Sequence, residues 1–223
     1  GPVLSLVGVG AQLQSIRGIS ERLSDALNAA PPPSSAVDPM AAPAAAPPDP
    51  DPQYATTPLA LRGVSFAYSP VTPLVIDDFS LRLGQGVRVA LVGPSGSGKS
   101  TLGQLMVGLR PATGGEILVF GRRIQDWPRN LLSREIAYVD QNVCLFEGAI
   151  KDNITLWDET MPEENYVRAA QDAMVHSIIT SRPGGYNARL LEGGRNLSGG
   201  ERQRLALARA FAVNPRILVL DEA

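Results

Sequence analysis

The segment Gly93-Pro-Ser-Gly-Ser-Gly98-Lys99-Ser100 constrains this chain more than any other stretch. It fits G-x-x-x-x-G-K-[ST] and lies between an apolar run, Val87–Val92 (VRVALV), and a segment whose Leu102, Leu105, Met106 and Leu109 recur at helical spacing. Such a loop needs glycine because its backbone must curl with the N–H groups turned inward, toward an anion at a helix N-terminus. Gly93, Ser95, Gly96, Ser97 and Gly98 would supply those N–H groups, with Pro94, which has none, shaping the loop and Thr101 completing the binding set. Lys99 would bring a point charge to the β- and γ-phosphates of a nucleotide, and the Ser100 hydroxyl would ligate Mg2+. The bland alternative is a flexible Gly/Ser turn, and the strand–loop–helix setting argues against it.

Around this loop, apolar runs and helical patterns alternate. Leu59–Tyr68 and Val75–Leu83 alternate apolar and polar residues and predict antiparallel strands with one wet face. Ile136–Val139 and Ile217–Leu220 predict buried strands, and Glu163–Ile179 and Glu201–Val213 predict helices, so the fold class is α/β with a largely parallel sheet. Upstream the composition changes, because ten of the 19 prolines fall between Pro31 and Pro58. Residues 31–58 therefore predict a Pro/Ala-rich, semi-extended linker. Before it, Leu13, Ile16, Ile19, Leu23 and Leu27 mark one face of an amphipathic helix ending before Pro31. One cysteine, Cys144, excludes a disulfide framework, and one histidine, His176, argues against a His-rich metal site. With 20 basic and 22 acidic residues the chain carries no bulk positive charge, so no nucleic-acid partner is expected. Val3–Ala11 is too short to span a bilayer, and the chain is expected to be soluble by itself.

Two further segments carry chemistry. Ile217-Leu-Val-Leu-Asp221-Glu222 is an apolar strand ending in two carboxylates. At the C-terminal end of a parallel strand, Asp221 would sit beside the phosphate loop and help hold Mg2+, and Glu222 would polarise an attacking water as general base. Alone, such an end is a core strand running into a solvated turn; beside the phosphate loop, the functional reading prevails. Asn196-Leu-Ser198-Gly199-Gly200-Glu201-Arg-Gln203-Arg opens a helical run with Ser198 as its cap. A capped helix start with exposed N–H groups is itself a phosphate site. One nucleotide cannot readily use both this start and the one at Gly98 within a single chain, which points to a dimer.

Taken together, residues 93–100, the LSGGE run at 197–201 and residues 217–222 resemble the ATP-binding cassette (ABC) domain of ABC transporters, over nearly all of 59–223. LSGGE separates that family from other P-loop proteins, and a small-molecule P-loop kinase would not explain it. The resemblance implies a P-loop NTPase with a RecA-like core and mostly parallel sheet, an antiparallel β subdomain and an inserted α-helical subdomain. It implies ATP and Mg2+ as ligands, with Lys99, Gln141 and Glu222 catalytic and Ser100, Gln141 and Asp221 at the metal. It also implies a head-to-tail dimer with a second cassette, whose Ser198, Gly199, Gly200 and Glu201 would close on the nucleotide held at 93–101. Tyr68, in FAYSP, matches the adenine-stacking aromatic, and Gln141 matches the glutamine that contacts Mg2+ and water and faces the membrane domain.

Residues 145–154 and 184–197 look like exporter-type cassettes, whose helical subdomain docks on the transmembrane domain; Glu192-Gly193-Gly194 resembles the exporter cross-talk loop. Phe146 and Ile154 fit either that docking face or the core. Residues 1–30 are similar to the cytoplasmic end of the last transmembrane helix in exporters with fused membrane and ATPase domains, closest to bacteriocin and leader-peptide exporters. The implied protein is an exporter at the cytoplasmic face of a bacterial inner membrane, with a peptide or bacteriocin as the implied cargo. The alternative, a soluble ABC-type ATPase acting in regulation or on nucleic acid, leaves the N-terminal helix and residues 145–154 without a purpose. Two departures stand out. Glu201 occupies a position where Gln is commoner, and His176 precedes LSGGE, so it is not the family's switch histidine. The cassette is expected to be incomplete at its C-terminus, with an unprotected sheet edge and weak or no hydrolysis by residues 1–223 alone.

Overall fold

A computed structural model describes residues 49–221. Eight short strands and six α-helices alternate along them: β1 Leu59–Phe66, β2 Ile76–Leu83, α1 Lys99–Met106, β3 Gly114–Val119, β4 Arg122–Arg123, α2 Arg129–Glu135, β5 Ile136–Val139, β6 Gly148–Ala149, α3 Ile150–Thr155, α4 Glu163–Asp172, α5 His176–Thr180, β7 Arg189–Leu190, α6 Gly199–Ala212 and β8 Ile217–Leu220. β2, β1, β3 and β4 form an antiparallel sheet in that order, with Leu59 paired to Leu83 on one side and Val119 on the other. β5 and β8 pair in parallel from Ile136 opposite Ile217 to Val139 opposite Leu220, and β6 pairs with β7.

Two cores explain this layout. In the first, Leu59, Leu61, Val64 and Phe66 of β1 meet Leu102, Leu105 and Met106 of α1, with Ile136 and Ile217 at its edge. Burial of alternate strand residues against the periodic face of α1 is what the two hydrophobic periods require. In the second, Ile150, Ile154, Ala169, Ala170 and Ile179 from the helical region pack on Leu205, Ala208 and Ala212 of α6. A different stripe of α6, Ala206 and Ala210, packs on Ala137 and Val139 of β5. Because these contacts are alanines, α6 approaches the strand closely while serving both cores. Ile154 is thus a core residue, whereas Phe146 is about half exposed and meets Trp157 edge-on at 5.7 Å.

Parallel pairing among the described residues is confined to β5 and β8. The run 87–92, read as a strand from its apolar residues, makes no ladder here, and Val92 is 90% exposed. A ladder belongs to a strand's neighbours as much as to its own side chains, and no described segment pairs with this one. The composition-based linker also differs at its end. Residues 51–57 form turns on the antiparallel sheet: Asp51 N donates to Gly121 O (2.8 Å), and the Tyr54 ring lies between the guanidinium groups of Arg62 and Arg82, 5.4 and 4.9 Å away. Gly121 permits this approach, since its φ is +77° and a Cβ there would lie 2.8 Å from Asp51 O. The N-terminal helix, residues 31–48 of the linker, and Glu222 lie outside the described residues.

Candidate active site

The phosphate loop hands directly into α1. Gly98 takes the left-handed conformation (φ 86°, ψ 8°), and α1 begins with no side-chain cap. A Cβ at Gly98 would lie 2.8 Å from Ile76 Cδ1, so only glycine satisfies both the backbone and the packing. The first N–H groups of α1 are left for a ligand at the positive end of the helix. Lys99 folds back over the loop, its Nζ donating to Gly93 O at 2.9 Å and Pro94 O at 2.8 Å.

From the end of β8, Asp221 reaches this loop. Its backbone N–H donates to Val139 O at 2.9 Å, and its Oδ1 accepts from the Ser100 hydroxyl at 3.0 Å. Residues 121 positions apart thereby bring together a hydroxyl and a carboxylate, a hard-oxygen pair that suits Mg2+. Asp221 Oδ2 accepts from the Tyr138 hydroxyl at 3.0 Å. Burial, and then the hydrogen bond and charge of Asp221, push the Tyr138 phenol well above its ordinary range, so it remains a donor. At the far side of α1, Tyr68 is 56% exposed, shares a hydrogen bond with Thr101 (2.8 Å), and carries Arg110 over its ring at 4.9 Å. An exposed aromatic beside the loop is placed for stacking on a base.

Ser198 caps α6 as expected. Its hydroxyl accepts from Glu201 N at 3.3 Å, and Glu201 Oε2 accepts from Ser198 N at 2.6 Å. The other Glu201 oxygen meets Arg182 at 3.3 Å, so this carboxylate is taken up inside its own subunit, leaving Gly199 and Gly200 as the exposed backbone. The Ser198 backbone N–H, then its hydroxyl and Arg182, hold Glu201 below the usual carboxylate range. A depressed folded-state pKa stabilises the fold above the ordinary value of about 4.3, and that contribution is lost as pH falls through the folded value. Glu201→Gln is therefore expected to be about 1 kcal/mol less stable at pH 7 and to approach the wild type at pH 3. Urea midpoints at the two pH values check this, and a gap independent of pH would contradict it.

Gln141 and Asn142 line one groove with Gly199, Gly200, Arg202 and Gln203, a space of about 480 Å³. Gln141 thus stands beside the α6 start, and Ser100, Lys99 and Tyr68 cluster at the α1 start. Tyr138 and Arg110 were not singled out in the sequence; the only available signal was a tyrosine three residues before Gln141 on a buried strand. His176 bonds Tyr186 through Nδ1 at 3.0 Å, on the helical side.

An anion nest at a helix start, a lysine at its rim and a serine–aspartate pair across it define a P-loop nucleotide-binding domain. Residues 76–223 match the ABC transporter family, and the chain belongs to it. It is 41% identical over 162 residues to the exotoxin translocation ATP-binding protein PaxB of Pasteurella aerogenes, covering 73% of this chain and 23% of that protein. It is 39% identical to the alpha-hemolysin translocation ATP-binding protein HlyB of Proteus vulgaris (74% and 23%) and 42% identical to a putative multidrug export ATP-binding/permease protein of Staphylococcus aureus (72% and 28%). The structure of a bacterial Atm1-family ABC exporter with ATP bound superposes with a TM-score of 0.69 at 34% identity, over 74% of this chain and 29% of that one. The chain thus spans about a quarter of the length of the curated relatives it matches. Among the described residues no helix is long and apolar enough to cross a membrane.

Proposed function

We propose that this chain is the ATP-binding and ATP-hydrolysing domain of a membrane exporter, acting at the cytoplasmic face of a bacterial membrane through ATP-dependent pairing of two cassettes. The observation that carries the reading is the Ser100–Asp221 hydrogen bond, which joins the phosphate loop to the end of β8. The relatives named for toxin and multidrug export favour an exporter over a soluble ATPase, and the half-exposed Phe146–Trp157 pair offers an aromatic face for a membrane domain.

On this reading Tyr68 stacks on the adenine and the loop N–H groups hold the phosphates. Lys99 exchanges its two carbonyl partners for the β- and γ-phosphates. Ser100 and Asp221, with Gln141, hold Mg2+, which supplies charge neutralisation at the phosphates when bound. Glu222 orients the attacking water and takes its proton while water displaces ADP in line at the γ-phosphorus. Ser198, Gly199 and Gly200 of a second cassette close the sandwich. Residues 1–30 are assigned to the cytoplasmic end of a transmembrane helix, and the cargo to a peptide.

The test is ATP-dependent dimerisation of the full-length protein's cassettes by light scattering. Glu222→Gln with Mg-ATP is expected to accumulate the dimer, whereas Lys99→Ala stays monomeric. Glu222→Gln that binds ATP yet remains monomeric would overturn the composite site.

A further inference from the structure

We propose that Tyr138 is a positioning residue for Asp221, its hydroxyl holding one carboxylate oxygen so that the other faces Ser100. The proposal rests on the nucleotide-site reading above and adds to it the means by which the carboxylate is aimed.

The Tyr138 hydroxyl lies 3.0 Å from Asp221 Oδ2. An ionised carboxylate only accepts, so the phenol donates its single proton there. With Oδ2 held by Tyr138, Oδ1 is the oxygen turned to Ser100.

Packing supports the same arrangement. Tyr138 sits opposite Val219 in the parallel ladder, two residues before Asp221. At Gly103, α1 comes close enough that an added Cβ would lie 3.4 Å from Tyr138 Cε2 and 3.5 Å from Val219 Cγ1. The ring is therefore confined between helix and strand, and its hydroxyl has one place to point. Groups behind a metal ligand set its orientation, and their loss commonly lowers metal affinity by about 10–100-fold.

The experiment measures binding of a fluorescent ATP analogue to the full-length protein, in EDTA and across a Mg2+ titration, with Mn2+ binding by electron paramagnetic resonance as a second readout. Tyr138→Phe is expected to raise the Mg2+ concentration at half-effect roughly tenfold while affinity in EDTA moves by less than twofold. Asp221→Asn separates the two levels. If it leaves the Mg2+ requirement unchanged, the nucleotide-site reading fails; if it raises the requirement while Tyr138→Phe stays within twofold of wild type, the positioning role alone is overturned. Equal losses in EDTA and Mg2+ for Tyr138→Phe also overturn it.

Discussion

Lys99→Ala is expected to lower ATP turnover by the full-length protein by on the order of a hundredfold or more, with little change in stability. The ammonium group now rests on two loop carbonyls, Gly93 O and Pro94 O, both at the solvent-exposed rim. Removing it leaves those carbonyls to water, and the change in unfolding free energy should stay within about 0.5 kcal/mol. A nucleotide, by contrast, loses the only lysine charge within its loop, and that charge acts where negative charge is concentrated in the transition state. Lys99→Arg should not restore the rate, because a planar fork cannot occupy the place of a compact ammonium between two phosphates. Steady-state phosphate release, alongside thermal unfolding of the same preparations, checks both halves. Turnover above a tenth of wild type in Lys99→Ala would mean that this loop does not hold the reacting phosphates.

What could be read from the sequence was what depends on neighbours along the chain. The loop at 93–100, the cap at Ser198 and the strand ending in Asp221 are each built from fewer than ten consecutive residues, and all three appear where expected. The Ser100–Asp221 contact followed because two such segments had known roles once placed at strand and helix ends. Features decided by distant partners were not legible. Residues 87–92 have the composition of a strand, yet pairing depends on what lies alongside. Tyr54 sits in a proline-rich stretch, and only Arg62 and Arg82 on separate strands give it a place on the sheet. Glu201 is placed at the ligand only by its motif, whereas its carboxylate in this structure also closes its own helix cap and meets Arg182.

The Asn153–Arg209 pair illustrates the same limit and carries the largest expected effect on stability. Asn153 is fully buried (0% exposed); its Oδ1 accepts from Phe146 N at 2.8 Å, and its Nδ2 donates to Phe146 O at 2.9 Å and Ala149 O at 3.2 Å. Arg209, on α6, donates to Asn153 O and Cys144 O, each at 2.8 Å, and burial lowers its pKa from the ordinary arginine value. These bonds fasten the loop after Gln141 to the helix that begins at Ser198, the two walls of the groove at Gly199 and Gly200. Asn153→Ala leaves the Phe146 N–H without its acceptor, leaves two carbonyls without this donor and removes the Oδ1 that accepts from Arg209 Nη2 at 3.4 Å. A loss of about 3 kcal/mol is expected, which lowers the melting temperature by roughly 6–12 °C for a domain of this size. Asn153→Asp keeps the acceptor for Phe146 N but aims a carboxylate at two carbonyl oxygens, so it should not recover the loss. Arg209→Lys cannot span both carbonyls with one ammonium in the same fork geometry and should cost about half as much. Chemical denaturation decides the matter: Asn153→Ala within 0.5 kcal/mol of wild type would show that packing on α6, and not this network, holds the two walls together.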